Sequence, residues 1–202
     1  MSELSPLEQL HVEYRQLQRQ RPSRLTQDHV TSLTFFTADP TWRESGEIPA
    51  RAPRGVMGWI HSVLALEDFV EREGRLPREN RRLPAGTISI EEKQRCNSVR
   101  AQRRAFAAGR LCSYQVQRLQ CIDGFTFQPV EDAWQAHYDA YSRFTATHGD
   151  APKLRSEMET ERALARWAAK TRLAYRSGRL APARVVALNA LSFWTWGASN
   201  GK

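Results

Sequence analysis

The sequence predicts an all-α protein of tandem three-helix repeats, with a partial third repeat at the N-terminus. Three observations predict this fold class: apolar residues recur at helical spacing, glycines follow the periodic segments, and the chain repeats itself. Few segments are typical of strands, and the best is the short run 87–90. Matched residues at one constant spacing reveal the repeat: Trp59 with Trp134, Leu66 with Tyr141, Phe69 with Phe144, Gly74 with Gly149, and Pro77 with Pro152.

A second block of matches follows at a slightly shorter spacing, because the loops between the two blocks differ in length. It consists of Gly109-Arg110-Leu111 with Gly178-Arg179-Leu180, Val116 with Val185, and Leu119 with Leu188. Each copy then closes on aromatic residues, Phe125 and Phe127 in the first and Phe193, Trp194 and Trp196 in the second. Two copies of one unit indicate that function lies in what both copies present, rather than in a single active site.

The helices of each copy follow from apolar periodicity and from the residues that end them. Helix one is predicted over 56–74 and 134–148, each stopped by a glycine. Helix two is predicted over about 91–108 and 159–177, and Gly109 and Gly178 suit the left-handed position after it. A shorter helix three follows in each copy, with Pro182 placed for its first turn in the second.

The N-terminal residues carry a fainter copy of helices two and three. Arg24-Leu25, Val30, Leu33 and Phe35 match Arg110-Leu111, Val116, Leu119 and the closing aromatic, and an unrelated helical hairpin is the alternative. Pro, Gly and charged residues then indicate a linker. The predicted organisation is a partial repeat over 1–36, a linker over 37–55, a first full repeat over 56–128 and a second over 129–202.

The composition favours an anionic partner. The net charge is +8 with a pI near 9.9, which points first to nucleic acid. No apolar run is long enough for a membrane span and no secretory signal opens the chain, so we expect a cytoplasmic protein, nucleoid-associated if it binds DNA. Three cysteines without paired spacing are typical of reduced thiols, and we expect no metal and no cofactor.

The basic residues concentrate on helix two and the segments after it. On a helical wheel of the second copy, the apolar stripe Leu164, Trp167, Ala168, Thr171 and Tyr175 lies opposite a nearly continuous basic face. Like charges spaced by four residues destabilise a helix slightly, and a polyanion along the face would relieve that repulsion. A merely solvated basic face is the alternative. The candidate nucleic-acid contacts are Arg100, Arg103, Arg104, Arg110, Arg118, Arg162, Arg166, Lys170, Arg172, Arg176, Arg179 and Arg184.

Two further features have competing interpretations. Helices two and three could form a helix-turn-helix, in which helix three exposes Tyr114, Gln115, Gln117 and Arg118, or Ala183 and Arg184, to a groove. Phosphate contact by helix two needs no such geometry and is the favoured interpretation. Trp59, Trp134 and Trp167 are predicted in the core, as are Trp194 and Trp196, for which a base-stacking platform is the alternative.

The spaced residues also form one motif series. In the second copy it runs Trp134, Tyr141, Gly149, Pro152, Leu164, Trp167, Gly178-Arg179-Leu180 and Phe193-Trp194-Thr195-Trp196. In the first copy it runs Trp59, Gly74, Pro77, Gln102-Arg103, Gly109-Arg110-Leu111 and Gly124-Phe125-Thr126-Phe127, with Ser98 where the helix-two tryptophan belongs. The series resembles the bacterial helicase-associated domain, a three-helix unit often found in tandem behind superfamily 2 helicase cores. The resemblance implies a stand-alone array of this module that binds nucleic acid.

The function expected from the sequence is that of a non-enzymatic accessory or regulatory protein that binds nucleic acid, DNA first. The chain has no Gly-x-x-x-x-Gly-Lys-Ser/Thr loop for a nucleotide, and no catalytic set has recognisable spacing. The alternative is a helical interaction module that docks on an acidic partner or on a separately encoded helicase, since an acidic helix one lies beside the basic helix two.

Overall fold

The structure, a computed structural model, describes residues 4–45, 53–78 and 88–197, with the backbone alone for 41–45. Within these residues the regular structure is helical and no strand occurs, so the all-α prediction is confirmed. The α-helices are α1 (Pro6–Gln18), α2 (Gln27–Ser45), α3 (Arg54–Glu73), α4 (Ile90–Ala107), α5 (Ser113–Gln120), α6 (Pro129–His148), α7 (Glu159–Arg176) and α8 (Pro182–Asn189).

The predicted helix ends agree closely with the structure. Gly74 and Gly149 follow α3 and α6 in the left-handed conformation, with φ of 63° and 64°. Gly109 and Gly178 follow the next helix of each copy in the same conformation, with φ of 62° and 66°. The strand candidate at 87–90 is wrong over its described part, because the hydroxyl of Ser89 accepts a hydrogen bond from the backbone N–H of Glu92 and caps α4. Thr87 itself lies outside the described residues.

The chain forms two compact units, Met1–Phe127 and Gln128–Lys202. In the first unit α1 and α2 pack against the α3–α5 repeat, and α2 contacts both α3 and α5. The expected linker over 37–55 is corrected at its start, since α2 continues through Ser45. Buried contacts of Ala38 and Asp39 favour the helix there and offset the cost of Pro40, which has no N–H to donate.

Tryptophans and their equivalents close the core of each unit. Trp59, Phe125 and Phe127 belong to the core of the first unit. In the second unit Trp134, Trp167, Trp194 and Trp196 pack around buried Tyr141, Ala168, Leu188 and Leu191. The predicted core role of these tryptophans therefore agrees with the structure.

The absent helix-two tryptophan of the first unit is compensated by a second change. In the second unit the rings of His137 and Trp167 stack, with centroids 5.8 Å apart. The equivalent positions in the first unit are Ser62 and Ser98, whose hydroxyls form a hydrogen bond with each other. A polar pair in the first unit thus stands where the second unit has an aromatic pair, and it joins α4 to α3 at the same contact between helices one and two.

Candidate nucleic-acid interface

One arginine of helix two fixes the closing segment in each unit. The Nε of Arg103 donates to the carbonyl of Thr126 at 2.8 Å, and the Nε of Arg172 donates to the carbonyl of Thr195 at 2.5 Å. Each guanidinium also lies over a ring of that segment, Phe125 at 5.8 Å or Trp194 at 4.7 Å from the centroid. Burial lowers the pKa of Arg103. These two candidate contacts are therefore partly committed to holding the fold, which is why both copies have them.

Arg118 is a correction to the candidate site, because it is 0% exposed. Its Nε donates to Asp39 at 2.7 Å and its Nη2 donates to Glu67 at 2.8 Å. The hydroxyl of Tyr114 donates to the same Asp39 oxygen at 2.8 Å. Burial, followed by the charge of Asp39, raises the pKa of Tyr114 far above its ordinary range. Arg118 thus ties α5 to α2 and α3 and has no access to a phosphate.

The same packing removes the expected base-reading helix of the first unit. Tyr114, Gln115 and Arg118 are buried, and of the four side chains expected in a groove only Gln117 is exposed. The backbone N–H of Tyr114 donates to the hydroxyl of Ser32 on α2 at 3.1 Å. The sequence pattern placed these residues on a polar side of helix three because nothing in it showed that α1 and α2 would cover that side.

In the second unit the corresponding helix is only partly available. Ala183 is exposed, whereas Arg184 is half-buried. The Nη2 of Arg184 donates to Glu131 at 2.6 Å, and its guanidinium lies 4.9 Å from the centroid of the Trp134 ring. Arg184 therefore joins α8 to the first turn of α6.

Glu159 neutralises part of the basic face of α7. Its carboxylate accepts from Arg162 and from Arg166, each at 2.5 Å. These hydrogen bonds, that of Arg166 first, lower the pKa of Glu159. Arg162 is held further by the carbonyls of Ser156 and Glu157, at 2.7 Å and 2.8 Å from its Nη1. Sequence reasoning missed this carboxylate, although its spacing of three residues from Arg162 was a visible signal.

The remaining candidate cations are exposed. Arg104 and Arg110 in the first unit, and Lys170 and Arg176 in the second, form no ion pair with any residue that the structure describes. Arg100 is exposed on the same stripe of α4 as Arg104. Exposed Arg179, the counterpart of Arg110, donates to the hydroxyl of its near neighbour Ser177 at 2.9 Å and forms no ion pair with the described residues.

Each unit consequently presents a short row of cations along helix two and just after it. On α4 the row is Arg100 and Arg104, and on α7 it is Lys170 with Arg166, whose charge Glu159 partly neutralises; each pair is one helical turn apart. Such a row has the chemistry to bind phosphates along a strand, as guanidinium groups donate two parallel hydrogen bonds to one phosphate. No group of three or more His, Cys, Asp or Glu side chains suited to a metal occurs in residues 4–45, 53–78 and 88–197. Over the same residues, no helix has both the length and the apolar character of a membrane span.

Comparison with known proteins identifies the second unit. Residues 131–196 match the model of the family described as the helicase associated domain. No curated protein and no solved structure matches the chain. The matched segment begins in the first turn of α6, contains α7 and α8, and ends on the closing aromatic Trp196. The match confirms, over residues 131–196, the resemblance to the helicase-associated domain that the motif series predicts.

Proposed function

We propose that this protein is a non-enzymatic accessory or regulatory protein that binds nucleic acid, DNA first, through phosphates. The observation that carries the proposal is the set of exposed cations without carboxylate partners, Arg104, Arg110, Lys170 and Arg176. Two of these cations have a like charge one helical turn away, Arg100 before Arg104 and Arg166 before Lys170. Such pairs cost a helix a few tenths of a kcal/mol each, roughly. Phosphates along the row would convert that repulsion into attraction.

The two units contribute differently in this proposal. In the first unit helix three is covered by α1 and α2, so its contacts come from α4 and from Arg110 after it. In the second unit Lys170, Arg176 and Arg179 stand on α7 and after it. The association of the family with helicases supports DNA processing as the setting and a helicase as the protein partner.

Titration of duplex and single-stranded DNA at several salt concentrations tests the proposal. The logarithm of the affinity should fall with the logarithm of salt, at a slope of about −0.9 for each phosphate neutralised on duplex DNA and about −0.7 on single strands. Replacing Lys170 and Arg176 by Glu should reduce that slope by about 1.8 and weaken all sequences alike. The control carries the same charge change at Lys153 and Arg155, exposed residues of the α6–α7 loop, and should bind more tightly than the α7 variant. Absence of binding at low salt would end the proposal.

A second candidate function is a helical interaction module that docks on a protein. It is favoured by exposed apolar side chains in the second unit, Val130 at 75% and Val186 at 71%. The Arg184–Glu131 ion pair brings their helices together. The acidic helix one gives it less support, because Arg72 bridges Asp68, Glu73 and Glu91 there. Recovery of one protein partner after nuclease treatment, lost on changing Val130 and Val186 to Ser, would favour this function over DNA binding.

A further inference from the structure

The backbone of Phe193 adopts a conformation that its side chain disfavours. Its φ is 59°, and it is the one residue other than glycine with positive φ in the described chain. The equivalent residue of the first unit is Gly124, with φ of 68°, where an added Cβ atom would lie in open space. The left-handed conformation costs an ordinary residue free energy that glycine does not lose. An aromatic residue has therefore replaced the residue that suits this turn best.

The surrounding contacts hold this turn in place. The carbonyl of Phe193 accepts from the hydroxyl of Tyr141 at 3.2 Å, and Tyr141 is fully buried. The next residue, Trp194, packs its ring on Tyr141 and Trp167. Arg172 then binds the carbonyl of Thr195. Each of these contacts uses the backbone or a neighbouring side chain, so none of them requires a phenyl ring at position 193.

The ring itself gains little from the fold. Phe193 is 52% exposed. Each other aromatic side chain described in the second unit has a ring partner, as in the stacked pairs Trp134–Tyr138 and Tyr175–Trp196, whereas Phe193 has none among the described residues. A conformational cost without compensating packing is typical of a residue kept for a ligand.

The chemistry beside the ring indicates which ligand. Arg172 contacts the residues on the C-terminal side of Phe193, and exposed Arg176 follows it one turn later on α7. Aromatic side chains beside cations are one way in which proteins bind single strands, since bases stack on the rings while cations contact the phosphates. We propose that Phe193 is a stacking site for an unpaired nucleobase. This inference rests on the proposed nucleic-acid binding and assigns its preference to single strands.

The test compares two fluorescent single-stranded probes of equal length, a thymidine oligonucleotide and an abasic deoxyribose oligonucleotide, by anisotropy at low salt. Phe193→Gly and Phe193→Ala should both lower the affinity for the thymidine probe about tenfold, and leave that for the abasic probe unchanged. Phe193→Trp should retain the native affinity. Phe193→Gly should melt at a higher temperature than Phe193→Ala, which separates backbone strain from binding.

Other outcomes overturn the inference in distinguishable ways. Equal loss on both probes, or no loss on either, removes the stacking role, and the proposed function still stands if changing Lys170 and Arg176 to Glu weakens both probes. Unchanged DNA binding with loss of a captured protein partner would assign the ring to a protein contact instead. If neither probe binds the native chain, the proposed function fails together with this site.

Discussion

Replacement of Glu159 by Gln should strengthen the binding of nucleic acid. Glu159 accepts hydrogen bonds from Arg162 and Arg166, so a phosphate must now compete with it for both guanidinium groups. Glutamine keeps the length and shape of the side chain but removes the charge that holds the two cations. The expected gain comes from α7 alone and needs no change elsewhere in the fold.

The structure sets the size of this effect. Each additional phosphate neutralised makes the salt slope steeper by about 0.9. If the two proteins bind equally at about 1 M salt, this difference makes the variant bind roughly eightfold more tightly at about 0.1 M. Release of both arginines would give roughly sixtyfold. Arg162 remains bound to the carbonyls of Ser156 and Glu157, however, whereas Arg166 is half exposed and has no other partner among the described residues. The expected gain is therefore nearer to eightfold, with a slope steeper by about 0.9.

Glu157 provides a matched control for the assay. It is exposed, and its carboxylate forms no ion pair with the described residues. Glu157→Gln changes the net charge of the chain by the same one unit without releasing an arginine. DNA titrations at several salt concentrations should show a steeper slope for Glu159→Gln than for Glu157→Gln. Equal slopes would mean that only bulk charge matters and would refute the assignment of Arg166 to a phosphate.

Two further predictions concern the first unit. Asp39→Asn leaves buried Arg118 without its closest carboxylate and should lower the free energy of unfolding by about 3 kcal/mol in urea denaturation, and an unchanged midpoint would contradict the buried pair. The hydrogen bond from Arg75 is the largest cause that lowers the pKa of Glu92. Ionised Glu92 therefore stabilises the fold above the ordinary pKa of 4.5, and this stabilisation is lost as the pH falls through the lowered pKa. The urea midpoint of the native chain should therefore fall more than that of Glu92→Gln on acidification from about pH 5 to 3, and parallel curves would refute it.

The helices could be predicted from the sequence because local signals determine them. Glycine after α3, α4, α6 and α7 supplies the left-handed conformation that ends a helix, and no distant residue is needed to recognise it. The aromatic closure of each unit followed from the repeat, since the same spacing recurs in both copies. Each of these signals can be recognised from a few neighbouring residues of the sequence.

The candidate site was predictable only in part, because exposure depends on residues far away in the chain. Arg118 resembled a surface cation until Asp39, in an expected linker, proved to lie in a helix packed on α5. Arg172 resembled a phosphate contact, but its Nε binds a carbonyl twenty-three residues later. Lys170 and Arg176 are exposed as expected, and neither forms an ion pair with the described residues.

Comparing equivalent positions of the two copies distinguishes arginines that hold the fold from arginines that lie exposed on the surface, which the basic composition alone does not. Arg103 and Arg172 occupy equivalent positions and make the same carbonyl contact, so duplication has kept an arginine that the fold requires. The exposed pairs Arg100 with Arg104 and Arg166 with Lys170 lie at positions that are not equivalent. A row of cations has thus been built separately on each unit, on a different stripe of helix two. Solubility alone does not require cations to be aligned in a row on either unit. Two rows on different stripes of helix two are expected if each unit binds a polyanion through its own set of cations.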